Sequence, residues 1–436
     1  MDLADAADLT SAAATRDPAG AFATLRDQDP VWWSDRHRAW ILTGYADVVD
    51  ALTSPLLSAD RISPLDRRLG DARRDASVAT RDHLRSWMLF NDGDVHRRLR
   101  APVGRSFTPR RVERLREFCT ELVDQLLDDA VAVAVPVDGG ADVGADGGAD
   151  VGNTVIDVHQ ALFAPLPAVM IAELLGVDRA DAAALQGWSD QLGLFVLGVA
   201  HPDQAAAAAQ ATAELMAYFE ALVARRRREP AEDRISALVD AERRGELDTD
   251  EVVGAATLLL FAGHETTTNA LGNALVALLE HPAQLARLRP DPVVDPVDPV
   301  DAVEELLRFE PPAKVQVRYV LTEHTRGNHR LERGQAVFAA IAAANRDPAV
   351  FADPDRLDLG RRPVAHVAFG HGAHFCVGAA LARLEMAVVL PRLARRFPDL
   401  APAWGERGPQ YQPAVVMKSL QHVPVALGRS TRLAGG

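Results

Sequence analysis

The run Phe369-Gly370-His371-Gly372-Ala373-His374-Phe375-Cys376-Val377-Gly378 holds the side chain of this sequence best suited to bind a metal. Cys376 lies in a glycine-rich loop that leads straight into an expected helix. A helix N-terminus favours an anion, and glycines let backbone N–H groups approach the sulfur. Both features favour a thiolate, the form that ligates metal. Two plainer arrangements compete. A buried inert cysteine has no need of three flanking glycines. A zinc site built from His371, His374 and Cys376 has suitable ligand types, but their spacing is cramped. The second of the two cysteines, Cys119, shares an apolar helical stripe with Val112, Leu115, Phe118, Leu122 and Leu126. It reads as a small buried hydrophobe.

A different chemistry stands in the run His264-Glu265-Thr266-Thr267-Thr268-Asn269. Its flanks, VVGAATLLLFAG and ALGNALVALL, are apolar on nearly every side and predict a buried helix over 249–279. Asp248 with Glu251 resembles a capping box, and His281-Pro282 supplies the stop. Short hydroxyl residues inside such a helix can bond the preceding turn and bend it. Purely structural back-bonding is one reading. An acid beside hydroxyls inside a buried helix points instead to a working site. The zinc-protease pattern H-E-x-x-H is excluded, because residue 268 is Thr.

The elements that must position these residues are mostly helical. A stripe from Arg110 to Ala130 predicts one helix, and helix returns at about 377–397. Between them, after about Arg308, short β-prone pieces (VQVRYVL, AVFAAI) are broken by Gly and Pro. The expected class is mainly α with small β-sheets, in a single domain over 1–436. Two biased stretches, near 137–153 and 290–300, read as surface loop insertions, the second too proline-rich for helix.

The net charge is −14, from 47 basic and 61 acidic residues, which argues against general nucleic-acid binding. No run of about 18 apolar residues suggests a membrane span. An acidic, Ala-rich start unlike a secretory leader makes the cytoplasm the expected location, where a disulfide would be unusual.

The run F-G-x-G-x-H-x-C-x-G at 369–378 resembles the haem-binding loop of bacterial cytochromes P450 at every fixed position. Ala262-Gly263-His264-Glu265-Thr266-Thr267 resembles the family's oxygen-activation stretch, and Glu305-Leu306-Leu307-Arg308 its E-x-x-R pair. Asn345-Arg346-Asp347-Pro348, then Pro354-Asp355-Arg356-Leu357, is similar to its meander. The order along the chain is the family order, and the likeness spans roughly 20–428. Leu357 stands where the family often has Phe.

This resemblance implies a helical prism with small sheets that binds haem b through Cys376 and inserts one oxygen atom from O2 into substrate. Electrons would come from NAD(P)H through a separate ferredoxin and its reductase. Gly370, Gly372 and Gly378 would let N–H groups moderate the sulfur. His96, Arg100, Arg318 and His374 would meet the haem propionates, with Gln316 adding a hydrogen bond. Phe369, Ala262 and Gly263 would border the haem, the last two leaving room for dioxygen. Thr266 and Glu265 would deliver protons. Glu305, Arg308 and Arg356 would form a buried charge network of structural value.

The resemblance also implies a pocket of hydrophobic character. It would be lined by residues 86–91, 191–199 and 258–266, Leu258 among them, with the turns Lys314-Val315 and Val416-Met417. Lys314 would snorkel to solvent or meet a substrate carboxylate. A hydrophobic secondary metabolite is the expected substrate. Other readings stay open: oxidative coupling or rearrangement without oxygen insertion, and a haem sensor, against which Glu265 and Thr266 speak. Eight arginines between His96 and Arg116 (97, 98, 100, 105, 110, 111, 114 and 116) face Glu113 alone in that stretch. They make a candidate docking surface for an acidic ferredoxin.

Overall fold

The computed structural model describes residues 1–64, 77–105, 107–134, 154–196, 202–289, 297–362, 364–405 and 408–428. The loop expected at 137–153 lies outside them. Eight helices position the site: α1 (Gly93–Gly104), α2 (Arg116–Val133), α3 (Pro165–Leu175), α4 (Ala182–Val196), α5 (Pro202–Arg228), α6 (Thr249–Glu280), α7 (Pro299–Phe309) and α8 (Ala379–Arg396).

α6 is the longest helix among the described residues. Its 32 residues correspond to a rod of roughly 48 Å. The capping box is present: Asp248 accepts from the Glu251 N–H at 2.8 Å, and Glu251 Oε2 accepts from the Asp248 N–H at 3.0 Å. α3, α4, α5 and α8 all pack against it, which is why nearly every side of the helix is apolar. Gly254 shows how tight this is. A Cβ there would lie 1.9 Å from Ser86 Oγ, so only glycine lets the 84–90 segment close on the helix. Trp87 then donates from Nε1 to Thr257 Oγ1 at 3.0 Å.

A five-stranded sheet flanks the helices. Its strands are β1 (Val31–Ser34), β2 (Ala39–Leu42), β3 (Leu57–Ser58), β4 (Gln316–Val320) and β5 (Ala336–Ala339), in the order β1-β2-β5-β4-β3. Only the β2–β5 pairing is parallel within this sheet. Alternation along β4 puts Gln316 and Arg318 on one face and Val317, in an apolar cluster, on the other. The mainly helical class with small sheets is therefore what the chain adopts.

Two local expectations are corrected. The stripe from Arg110 is broken: a short helix, Pro109–Glu113, ends before α2 begins at Arg116. The periodicity was continuous because both pieces bury the same side. At 290–300, the described end of the stretch is not loop, since Pro299 opens α7. Proline is acceptable at a first helical position, where its missing N–H has no partner to lose, and the Asp298 side chain caps the Val300 N–H at 2.9 Å.

Candidate active site

One cavity gathers most of the residues singled out from sequence. α6 contributes Leu258, Ala262, Gly263, Glu265 and Thr266, and the cysteine loop contributes Phe369, Gly370, His374, Cys376 and Gly378. His96 and Arg100 reach it from α1, Gln316 and Arg318 from β4, and Val416 and Met417 from a C-terminal turn. Ala262 and Thr266 are exposed residues in the middle of a buried helix, because what they face is this cavity. Cys376 is exposed in the same sense.

The loop is shaped by two glycines in the left-handed region, Gly370 at φ 73° and Gly372 at φ 70°. At the latter a Cβ would also meet Thr53 Cγ2 at 2.7 Å. The Cys376 N–H donates to the Phe369 carbonyl at 2.9 Å. Burial pushes the Cys376 thiol up, against the N–H groups of Gly378 and Ala379 and the charges of Arg100 and Arg383. The N–H groups at the start of α8 and the two arginines act on the sulfur in the direction expected, opposed by desolvation. A bound metal would reverse the upward shift, because a coordinating thiol loses its proton. Cys119 is fully buried, as expected, and its thiol is pushed well up by burial.

A positively charged edge borders the same cavity. His96 is buried, with Nε2 lacking any partner, and its ring lies 4.0 Å from that of His374. Burial, then the charges of His374 and Arg100, hold His96 down at about 4. Arg318 is buried, and its Nη1 donates to its neighbour's carbonyl at 2.9 Å. Arg100 donates to the Phe375 carbonyl at 2.5 Å. The nearby acid, Asp92, already accepts from Ser58 Oγ and from the Ala59 N–H at 3.1 Å. Despite burial, the His374 ring 3.8 Å away and the bonds from Ser58 and Ala59 hold it down at about 2. Cations gathered round a cavity, with an orphaned buried imidazole nitrogen, form an edge fitted to a dianionic group such as the two propionates of haem.

On α6, the Thr266 hydroxyl donates to the Ala262 carbonyl at 3.0 Å, so the back-bonding arrangement is the one adopted here. Burial raises the Glu265 carboxyl above its ordinary range, with the charge of His264 pulling against it. Gly263 lines the cavity, and its bareness also serves packing: a Cβ there would lie 2.8 Å from Ile171 Cγ1 on α3.

Three predicted residues are not where they were expected. Lys314 and Val315 are fully buried away from the cavity, whose wall is made by their neighbours Pro312, Ala313 and Gln316. Lys314 neither snorkels nor meets a substrate, because Nζ donates to the Leu9 carbonyl at 2.8 Å, and burial holds it down at about 7. Arg356 is 67% exposed, pairs with Asp358 at 3.6 Å, and offers the buried pair only its carbonyl, 3.2 Å from Arg308 Nη2. The pair Glu305–Arg308 is fully buried, with contacts of 2.7 and 2.8 Å. Its third member is Arg361, whose Nε lies 3.2 Å from Glu305 Oε1.

Sequence reasoning also missed Arg61, which lines the cavity beside Arg318 and is lowered to about 10 by burial, then by that neighbour. Nothing in its local sequence marks it. Arg383 bonds Glu304 at 2.6 Å and stacks 4.5 Å from the centre of the Phe369 ring, bracing the cysteine loop. Its place seven residues after Cys376, two helical turns on, was a usable signal. Among the described residues, no three His, Cys, Asp or Glu side chains group as a metal site, and no helix is long and apolar enough to cross a membrane.

The family model described as Cytochrome P450 matches residues 195–293 and 300–422. Cytochrome P450 107B1 of Saccharopolyspora erythraea is 37% identical over 395 residues, covering 89% of each chain. The 6-deoxyerythronolide B hydroxylase of the same organism is 34% identical, covering 89% of this chain and 90% of its own. The crystal structure of CalO2 superposes with a TM-score of 0.83 at 31% identity, covering 96% of this chain and 98% of its own.

Proposed function

The chain belongs to the cytochrome P450 family and is a monooxygenase of the bacterial type, and from that premise we propose that it oxygenates a hydrophobic secondary metabolite, using haem b ligated by Cys376. The observation that carries this reading is that one cavity is lined by Cys376, by Ala262 and Thr266 of α6, and by the cationic side chains Arg61, Arg100 and Arg318. When bound, haem supplies dioxygen activation, for which a thiolate ligand favours O–O cleavage.

The chain's own residues do the rest. His96, Arg100, Arg318 and His374 hold the propionates, helped by Gln316, while Phe369, Gly370 and Gly378 shape the loop around the sulfur. Ala262 leaves space on the helix. The Thr266 hydroxyl, released from the Ala262 carbonyl, donates into the cavity, and Glu265 holds a proton on its carboxyl for delivery there. Glu305 and Arg308, with Arg361 in place of Arg356, brace the structure. Leu258, Val416 and Met417, with Met88, Leu89 and Val196, offer apolar contacts. Together with the hydroxylase relative, they support a hydrophobic scaffold as substrate. Electrons reach the site from NAD(P)H through a ferredoxin and its reductase, in the cytoplasm, with 1–436 acting as one unit.

The test is spectroscopic. Cys376→His should lose the red-shifted carbon monoxide complex of a thiolate-ligated iron together with turnover, while Cys119→Ala keeps both. The opposite pattern would remove Cys376 from the role. Spectral titration with polyketides, terpenoids, peptides and aromatics would then sort substrate classes, and tight response to polar peptides alone would overturn the hydrophobic reading.

A further inference from the structure

Asp190 on α4 and His264 on α6 are 74 positions apart and meet beside the cavity. The His264 side chain is only 3% exposed. Its Nδ1 lies 3.1 Å from the Leu260 carbonyl oxygen, and its Nε2 lies 3.0 Å from Asp190 Oδ1. A carbonyl oxygen and a carboxylate have no proton to give, so this geometry suits donation from both ring nitrogens, which is the imidazolium form. The Asp190 side chain, 53% exposed, keeps the other end of the pair in contact with solvent.

The next residue is Glu265. A Cβ built on Gly193 would lie 3.4 Å from Glu265 Oε2. Gly193 follows Asp190 by three, so both occupy one face of α4. The α4 backbone at Gly193 thus lies within ordinary contact range of the Glu265 carboxyl, while Asp190 bonds the adjoining histidine. Among the described residues, Asp190 and Glu265 are the charged groups acting on His264, and His264 and Asp190 those acting on Glu265.

We propose that Asp190 and His264 are positioning residues for the reaction: Asp190 keeps His264 as an imidazolium beside Glu265, and that charge tunes how readily Glu265 hands its proton to the cavity. This rests on the reading of Glu265 as proton donor. The direction follows from electrostatics. A cation next to a carboxyl makes its proton easier to release. Without Asp190 the buried ring has no acid to hold its charge and becomes neutral. Asp190's own charge, which favours the protonated carboxyl, is lost as well, but the His264 cation is the larger influence, so Glu265 still keeps its proton to higher pH, where the wild type has already lost it.

Two measurements on the holoenzyme test this. In the diamagnetic ferrous–carbon monoxide state, 15N-labelled histidine reports ring protonation, with His264 identified by the signals lost in His264→Gln. Two protonated nitrogens are expected near neutral pH in the wild type, one in Asp190→Asn, and two again in Asp190→Glu. A single protonated nitrogen in the wild type would overturn the proposal, without recourse to any variant's activity. The second measurement is product per NAD(P)H consumed against pH. The alkaline fall in this ratio should move up by about one pH unit in His264→Gln, where Asp190 keeps its charge, and in the same direction by less in Asp190→Asn. A role confined to folding would lower haem loading without moving that limit. If Glu265→Gln lowers the ratio and Asp190→Asn leaves the profile on that of the wild type, this inference alone fails. If Glu265→Gln changes nothing, the proton role of Glu265 fails, and this inference with it.

Discussion

At the scale of single residues, the competition is between a side chain's own chemistry and what surrounds it. Thr266 is the clearest case. Its hydroxyl bonds the Ala262 carbonyl, a bond it must exchange to donate into the cavity. Thr266→Ala removes the donor and little packing, since the residue faces open space. Haem binding and reduction should be nearly normal. Product per NAD(P)H should fall by about tenfold, less than the roughly 10²–10⁴-fold that positioned proton transfer contributes because solvent entering the cavity supplies part of the protons, with the missing electrons recovered as peroxide. An unchanged ratio would show that Thr266 does not manage the proton. Lys314 makes a prediction about stability. Its folded value is about 7 against an ordinary 10.5, so between these values the unfolded chain binds more protons than the folded one. Stability from this group therefore rises with pH across that window and is at its worst below it. Lys314→Met should stabilise the protein near pH 7 and lose that advantage near pH 10. Urea unfolding of both proteins at several pH values measures the difference, and a pH-independent gap would contradict the account.

At the scale of elements, the buried pair on α7 holds the segment that follows β5. Arg308 Nη1 donates to the carbonyls of Asn345 and Pro354 at 2.9 and 2.8 Å, and Glu305 accepts from the Asp358 N–H at 3.0 Å. Removing either partner strands a buried charge, so Glu305→Gln or Arg308→Ala should cost about 3–5 kcal/mol and reduce haem retention. Arg356→Ala should cost within about 0.5 kcal/mol, as exposed positions do, and Arg361→Ala should fall between. Denaturant midpoints for the four variants give the ranking. An Arg356 effect equal to that of Arg308 would restore the trio expected from sequence. That expectation failed for a simple reason. E-x-x-R is a helical spacing and can be read locally, whereas the third cation comes from irregular chain, where no period says which arginine turns inward.

At the scale of the whole molecule, the arginine-rich stretch from 97 to 116 changes character once folded. Along the sequence it faces Glu113 alone. In the fold, Arg98 pairs with Glu251 at 2.5 Å, Arg105 with Glu246, Arg97 with Asp94 at 2.7 Å and Arg116 with Glu113. Arg110 and Arg114 are exposed and, among the described residues, bonded to no acid, while the nearest bond of Arg111 is to the Arg105 carbonyl at 3.5 Å. The short helix carrying Arg110 and Arg111 packs against α8, which begins three residues after Cys376. An acidic ferredoxin should therefore depend on Arg110, Arg111 and Arg114 more than on Arg97. Charge reversal at these three should slow haem reduction and flatten its dependence on ionic strength, which acts over about 8 Å under physiological conditions. Reversal of Arg97 should do less. Equal effects, or a rate insensitive to salt, would move the docking surface elsewhere.

Helical class, the long capped α6, the cysteine loop and the Glu305–Arg308 pair were all legible in the sequence, because each depends on residues within a few positions of one another. Hydrophobic period, capping spacing and a motif with fixed glycines are local properties, and local sterics decide them. What only the tertiary structure decided was the partner of each polar side chain. Lys314 turns to Leu9, Asp190 to His264, and Arg361 to Glu305. Each partner is brought in from a distant part of the chain. A buried charge must find an acceptor wherever packing happens to deliver one, and no spacing along the chain records where that is.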